Sequence, residues 1–292
     1  MKLGVICDGI SRDLDHALDV MLAAGLTHAE LQYVGDREVG DHDAQQVAGI
    51  KAALNARAVP VSCLSRHVFA GLTAENRPGD TAHTRHMEAL RRVIDMAHAL
   101  EAPLVRIMTS RKEQILWGTH GAEVWNVARG AWDSLPPLIA PAVDLARDAG
   151  LRLVVETGNG TMVNSSYTAR KLIDALDARD ALQVLWDPAN NCWCHERAYP
   201  DGYEMLRSGY LGHVHIKDVR VDTPRATLEV RALGEGQLGP VFPDIAAALR
   251  ADGYDGAISL ESVYHPGDGD FEAGFHACVA RFRRIFGRGR ES

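Results

Sequence analysis

The sequence predicts an α/β fold, a single (β/α)8 barrel, on three observations. Eight short apolar runs recur along the chain, and alanine-rich amphipathic stretches lie between them. The length of 292 residues accommodates eight βα units, which need roughly 250 residues. Strands that alternate with helices form βαβ units and a parallel sheet. A doubly wound open sheet is the competing arrangement, and the absence of G-x-G-x-x-G after the first run weakens its dinucleotide-binding version.

The runs, in order, are KLGVIC (2–7), HAELQYV (28–34), VPVSCLS (59–65), PLVRIMT (103–109), LRLVVE (151–156), LQVLWD (182–187), GHVHIK (212–217) and GAISLE (256–261). Each has strand length and an apolar core of residues. Helical periodicity fills the gaps between the early runs: LDHALDVMLAAG (14–25), DAQQVAGIKAALNARA (43–58), TRHMEALRRVIDMAHALEA (84–102) and LPPLIAPAVDLARDAG (135–150). Several of these close on Gly or a polar residue, as helix C-caps do. No composition break marks a linker, so one barrel is expected over 1–286, with 287–292 as a flexible tail.

Hydrophobic residues make up 46% of the chain, enough for a sizeable core, and the formal net charge is −8. An acidic balance argues against a nucleic-acid binder, whose contact surface is basic. No apolar run approaches the roughly 18 residues of a membrane span. The N-terminus enters a strand pattern at once and Asp8 interrupts any signal-like apolar region, so a cytoplasmic protein is expected. The five cysteines read as reduced thiols rather than a disulfide scaffold. C-W-C-H at 192–195 lacks a second Cys pair to complete a zinc site and reads as packing.

In such a barrel the active site lies at the C-terminal ends of the strands. The fifth run ends in Glu156, the sixth in Asp187 and the eighth in Glu261, and the seventh carries His215. Their spacings of 31, 28 and 46 residues are close to one βα unit each, with a longer last connection. Any one such carboxylate alone is more often a helix N-cap or a loop ion pair. Four polar residues in register on consecutive strands are a different pattern. Three carboxylates brought together raise one another's pKa unless a cation joins them. Oxygen-rich ligation with one imidazole suits a divalent ion, Mn2+ or Mg2+ first, with Zn2+ or Co2+ as alternatives; one such ion, Mn2+ by preference, is the expected cofactor.

Side chains alternate along a strand, so His213, His215 and Lys217 share one face. His215 is the rim residue of the three, and His213 reads as core or support. Lys217 is expected past the ligands, able to touch substrate oxygens or donate a proton; an ion pair with Asp187 or Glu261 is the plainer alternative. Asp218 points the other way and reads as a loop or cap residue. Glu30 on the second strand, Arg106 on the fourth and His67 after the third are candidates to line a substrate pocket, against interior ion pairs and polar loop contacts. Trp186 and Trp193 are candidates for an apolar wall against a sugar face, with core packing the alternative for Trp186.

The stretches VVETGNG, LWDPANN, GHVHIKDV and LGEGQLGPVFPDIAAALRADGYDGAISLE resemble the xylose isomerase-like barrel superfamily of sugar phosphate isomerases and epimerases. The resemblance is strongest over the C-terminal half. It implies one divalent metal held by Glu156, Asp187, His215 and Glu261, and a homodimer or homotetramer. It also implies isomerase or epimerase chemistry on a keto-sugar or polyol-derived small molecule through a metal-stabilised enediolate. Glu156, Glu261 and Lys217 are then the catalytic candidates. Ketose 3-epimerases of this type carry a His three residues after the metal Asp, where Asn190 stands here, and an Arg six residues after the metal His, where Val221 follows Arg220. Asn190 and Arg220 join the substrate-binding candidates. HIKDVR also resembles the inosose dehydratases, so a hydro-lyase acting on a keto-cyclitol or keto-sugar is the alternative outcome. The three-zinc DNA-repair branch needs more histidines than these strand ends carry.

Overall fold

The computed structural model describes residues 1–112, 130–267 and 269–287. All eight expected runs are strands of one closed parallel barrel: β1 (Lys2–Ile6), β2 (His28–Leu31), β3 (Val61–Val68), β4 (Leu104–Ile107), β5 (Arg152–Glu156), β6 (Leu182–Trp186), β7 (Leu211–Ile216) and β8 (Ala257–Leu260). Neighbours follow chain order around the ring, and β8 closes on β1. The third strand runs past its expected end at Ser65 to Val68, with a register shift against β4. Of the tail expected over 287–292, residues 288–292 lie outside the described residues.

Several helices begin where apolar periodicity coincides with a side-chain cap. Asp13 opens α1 (Leu14–Ala23), Asp43 with Gln46 makes a capping box for α2 (Ala44–Ala56), and Asp80 opens α3 (Thr81–Leu100). Helix α4 spans Ala131–Asp148, and Ser165 with Thr168 boxes α5 (Ser166–Leu176). Each such cap satisfies an amide that the first helical turn leaves unpaired. The sixth strand is followed by short helices only, α6 (Pro188–Trp193) and α7 (Tyr203–Leu206). Helix α8 (Phe242–Ala251) precedes β8, and α9 (Phe271–Phe286) follows it.

The main core lies between the strands and the helices, where the outward residues Leu153, Val155, Val184, Trp186, Val214, Ile216, Ile258 and Leu260 pack. The inward set is different. Cys63, Val154 and Leu185, with Leu104 against them, make a small apolar plug. Two residues further along the same strands come Ser65, Glu156, Asp187 and Arg106, all buried. Along β3 to β6 the barrel interior thus changes from apolar to polar and ionic towards the C-terminal ends, while Glu30 and His213 lie level with Cys63 and Leu185.

The long connection between β7 and β8 contains an antiparallel hairpin, Asp218–Asp222 paired with Thr227–Arg231. Asp218 accepts the amides of Gly234, Gly236 and Leu238, which ties the G-E-G-Q-L turn onto the end of β7. Gly234 has φ of 86°, and a Cβ at Gly236 would collide with the Asp218 carboxylate. The motif therefore serves the loop that frames the site.

Candidate metal centre

Glu156, Asp187, His215 and Glu261 each place one ligand atom within 4.8 Å of all the others. Three come from inward positions at or just past strand ends, and His215 from the penultimate residue of β7. Strand alternation and barrel closure bring them together, as the sequence pattern anticipates.

Their surroundings are specific. Glu156 accepts a hydrogen bond from Arg106 Nη1 at 2.8 Å and from Asn190 Nδ2 at 3.3 Å. Asp187 is both an N-cap and a site residue. Its Oδ1 accepts the amides of Ala189 and Asn190, which starts α6, while its Oδ2 accepts from Lys217 Nζ at 2.5 Å. The same ammonium donates to Glu261 Oε2 at 2.6 Å. His215 is fixed from behind: its Nε2 lies 2.8 Å from Glu30 Oε1. His213 Nε2 lies 2.7 Å from the other Glu30 oxygen, and Ser65 Oγ also donates to Glu30.

Burial and charge act against each other here. Burial, with Glu261 and Glu156 adding to it against the pull of Lys217, pushes Asp187 up to about 7. Burial opposes ionisation of Glu261, but Lys217 and His215 outweigh it and hold this carboxyl below its ordinary range. Burial would discharge His215, yet Glu30 and Glu261 raise it to about 10. Glu30 is kept ionised against complete burial by the two imidazoles.

These residues fit a divalent ion. Nδ1 of His215 is buried and has no hydrogen-bond partner; it faces Glu261 Oε2 at 3.6 Å and Glu156 Oε1 at 3.9 Å, beyond hydrogen-bond reach. A ligand imidazole anchored through its other nitrogen to a carboxylate has this arrangement. Charge agrees: Glu30, Glu156, Asp187 and Glu261 face only Arg106 and Lys217 as permanent cations in this network. An ion that took the place of the His215 proton would meet two remaining negative charges, the complement of one divalent ion.

A sequence profile of the xylose isomerase-like TIM barrel family matches residues 18–279. The chain belongs to this family. Among solved structures, the IolI protein with a bound zinc atom superposes with a TM-score of 0.72 at 14% identity, over 100% of both chains. D-psicose 3-epimerase with D-tagatose from Clostridium cellulolyticum H10 gives 0.70 at 14% identity, over 98% of this chain and 99% of that one. The probable 3-DHS dehydratase AsbF from Bacillus anthracis gives 0.68 at 15% identity, over 94% and 98%. At these identities the likeness is one of fold. No curated protein matches the chain by sequence. Membership of the xylose isomerase-like family accounts for the closed barrel.

Several expected pocket residues sit elsewhere than the sequence reading puts them. Glu30 is fully buried behind His215 with both oxygens used by protein groups, the interior pairing named as its alternative, and it anchors His215. Arg106 is buried in its pair with Glu156, the interior ion pair named as its alternative. Lys217 makes the ion pair named as its alternative, with Asp187 and Glu261 both. Its flexible stem returns the ammonium to Asp187 and Glu261, because two carboxylates in a dry interior attract the nearest cation. Arg220 is exposed on the hairpin, opposite Glu229. His67 is half-exposed, and its Nδ1 lies 2.7 Å from Glu38 Oε1, which also accepts the His67 amide. Glu38 went unread in the sequence, since only the short hairpin Tyr33–Val34 with Arg37–Glu38 carries it there. Trp186 is completely buried in the core. The ring of Trp193 lies 5.7 Å from the Lys217 ammonium. Neither Cys192 nor Cys194 belongs to a metal-competent group among the described residues.

Proposed function

We propose that this barrel is a divalent-metal-dependent isomerase or epimerase acting on a keto-sugar or a polyol-derived substrate. The observation that carries the reading is the unpartnered Nδ1 of His215 among the three carboxylates of Glu156, Asp187 and Glu261. A divalent ion held there, Mn2+ by preference for its oxygen-rich ligands and with Mg2+, Co2+ or Zn2+ as alternatives, supplies a Lewis acid that acidifies the C–H beside a substrate carbonyl. The protein's own groups do the remaining work. Glu156 and Glu261 stand on β5 and β8, with β6 and β7 between them, and address the substrate from two sides. One carboxylate removes the α-proton and the other returns one, which inverts the carbon; a single carboxylate working between adjacent carbons interconverts aldose and ketose. Arg106 and Asn190 hold Glu156 in one orientation. The side chain of Glu261 is 18% exposed against 6% for Glu156, which leaves it within reach of an incoming substrate.

Lys217 favours a second outcome. An ammonium at the ligand shell can protonate a hydroxyl β to the carbonyl as it leaves, and the same α-proton abstraction then makes the enzyme a hydro-lyase of a keto-cyclitol or keto-sugar. A small-molecule substrate, a homodimer or homotetramer and a cytoplasmic setting belong to the same proposal. No described helix is long and apolar enough to cross a membrane.

The test is solvent deuterium exchange across a panel of ketoses and keto-cyclitols, read by NMR and mass spectrometry on Mn2+-loaded protein. Label at the carbon beside the carbonyl, lost after chelation, is the expected result; label with water loss identifies the hydro-lyase. Protein that retains no metal and labels no substrate in the panel refutes the proposal.

A further inference from the structure

We infer that Lys217 is a built-in competitor for the metal: its ammonium leaves Asp187 and Glu261 when a divalent ion enters and returns to them when the ion departs. The inference rests on the metal-centre reading above and concerns how that centre is loaded. Asp187 has committed Oδ1 to the amides of Ala189 and Asn190, so Oδ2 is the oxygen left for the site, and Lys217 Nζ sits 2.5 Å from it. The oxygen of Glu261 that faces His215 Nδ1 is Oε2, at 3.6 Å. Lys217 Nζ lies 2.6 Å from that same atom. The ammonium therefore occupies the oxygens that two of the four ligands present to the centre.

An oxygen has lone pairs for more than one partner, so geometry alone does not forbid sharing. Charge does. An ammonium and a divalent ion on the same two oxygens repel each other across a buried site where water screens little. The lysine stem is flexible, and a second resting place is close: the Trp193 ring, whose centroid is 5.7 Å from Nζ, offers an indole face to the displaced cation. In the metal-free protein the lysine keeps two buried carboxylates paired. The consequence is a weaker, more readily exchanged metal than the four ligands would otherwise hold.

The experiment is a calorimetric titration of Mn2+ into chelator-stripped wild type, Lys217→Met and Lys217→Gln. Release of Mn2+ from loaded protein into excess EDTA is followed alongside. Removing the competitor should tighten Mn2+ binding at least about tenfold, a factor within reach of one lost charge-assisted hydrogen bond, and should slow release by a similar factor. The rise in melting temperature on adding Mn2+ should also be larger in Lys217→Met than in wild type. Equal or weaker binding in both variants, with wild type still binding Mn2+, overturns the inference and leaves the metal centre standing. Absence of Mn2+ binding in all three proteins removes both. If stripped Lys217→Met does not fold, the release rate, measured from metal-loaded protein, decides the question.

Discussion

Glu30 is 185 residues from His215 in the chain, yet it determines which nitrogen of that imidazole faces the site. Replacing it with Gln keeps the shape and removes the charge. The carboxylate accepts from His215 Nε2 at 2.8 Å, from His213 Nε2 at 2.7 Å and from Ser65. An amide offers one acceptor oxygen, and its NH2 confronts at least one of these donors. Either a donor is left unpaired in a fully buried place or His215 changes tautomer and puts its proton on Nδ1, the nitrogen proposed to meet the ion. Supporting groups of this kind are worth about 10- to 100-fold in metal affinity, or roughly 1.4–2.7 kcal/mol. Losing charge-assisted bonds in the interior costs folding stability as well, by about 3 kcal/mol. Calorimetric Mn2+ titration and urea unfolding of metal-free Glu30→Gln measure the two effects. The expected result is affinity reduced by at least about tenfold, opposite in sign to the change expected at Lys217. Affinity within twofold of wild type would refute the claim that Glu30 sets the ligand tautomer.

Two further outcomes are expected. Glu156→Gln keeps a side chain of nearly the same shape but removes the charge that meets Arg106, and turnover should fall by about 100-fold or more while far-UV circular dichroism stays native; a wild-type rate would take Glu156 out of the chemistry. In metal-free protein His215 is raised from 6.5 to about 10, so the stability that its proton contributes is complete below about pH 6.5 and is lost as pH climbs towards 10. Chelated wild type should therefore lose melting temperature between about pH 7 and 8.5 more steeply than His215→Gln. The comparison between the two proteins cancels the buried thiols, and parallel slopes would show that His215 is not protonated in the fold.

The barrel was legible because its signals are local. Each strand is a short apolar run, and parity along it assigns faces: the prediction that His213, His215 and Lys217 share one face holds, with all three turned inward. The four residues of the candidate metal centre follow from the same two rules, strand end and parity. What was not legible locally was the sixth unit, where α6 and α7 are short and Asp187 itself starts the first of them. The extension of β3 to Val68 was also missed, because it depends on a register shift against β4 that no periodicity within 59–65 encodes.

The site differs from its sequence reading in how its charges are balanced, and closure of the sheet explains why. Read singly, Glu30, Arg106 and Lys217 are polar residues near a mouth, and each suggests a contact for substrate. In a closed ring their side chains enter one dry interior together with Glu156, Asp187 and Glu261. An unpaired charge there costs several kcal/mol, so each inward cation finds an inward carboxylate first: Arg106 takes Glu156, Lys217 takes Asp187 and Glu261, and Glu30 takes the two imidazoles. Side chains left with capacity after this pairing are the ones able to meet a ligand. By that criterion His215 Nδ1, which has no partner, is the atom that carries the metal proposal, whereas Glu30 fixes His215, Arg106 fixes Glu156 and Lys217 fixes Asp187 and Glu261.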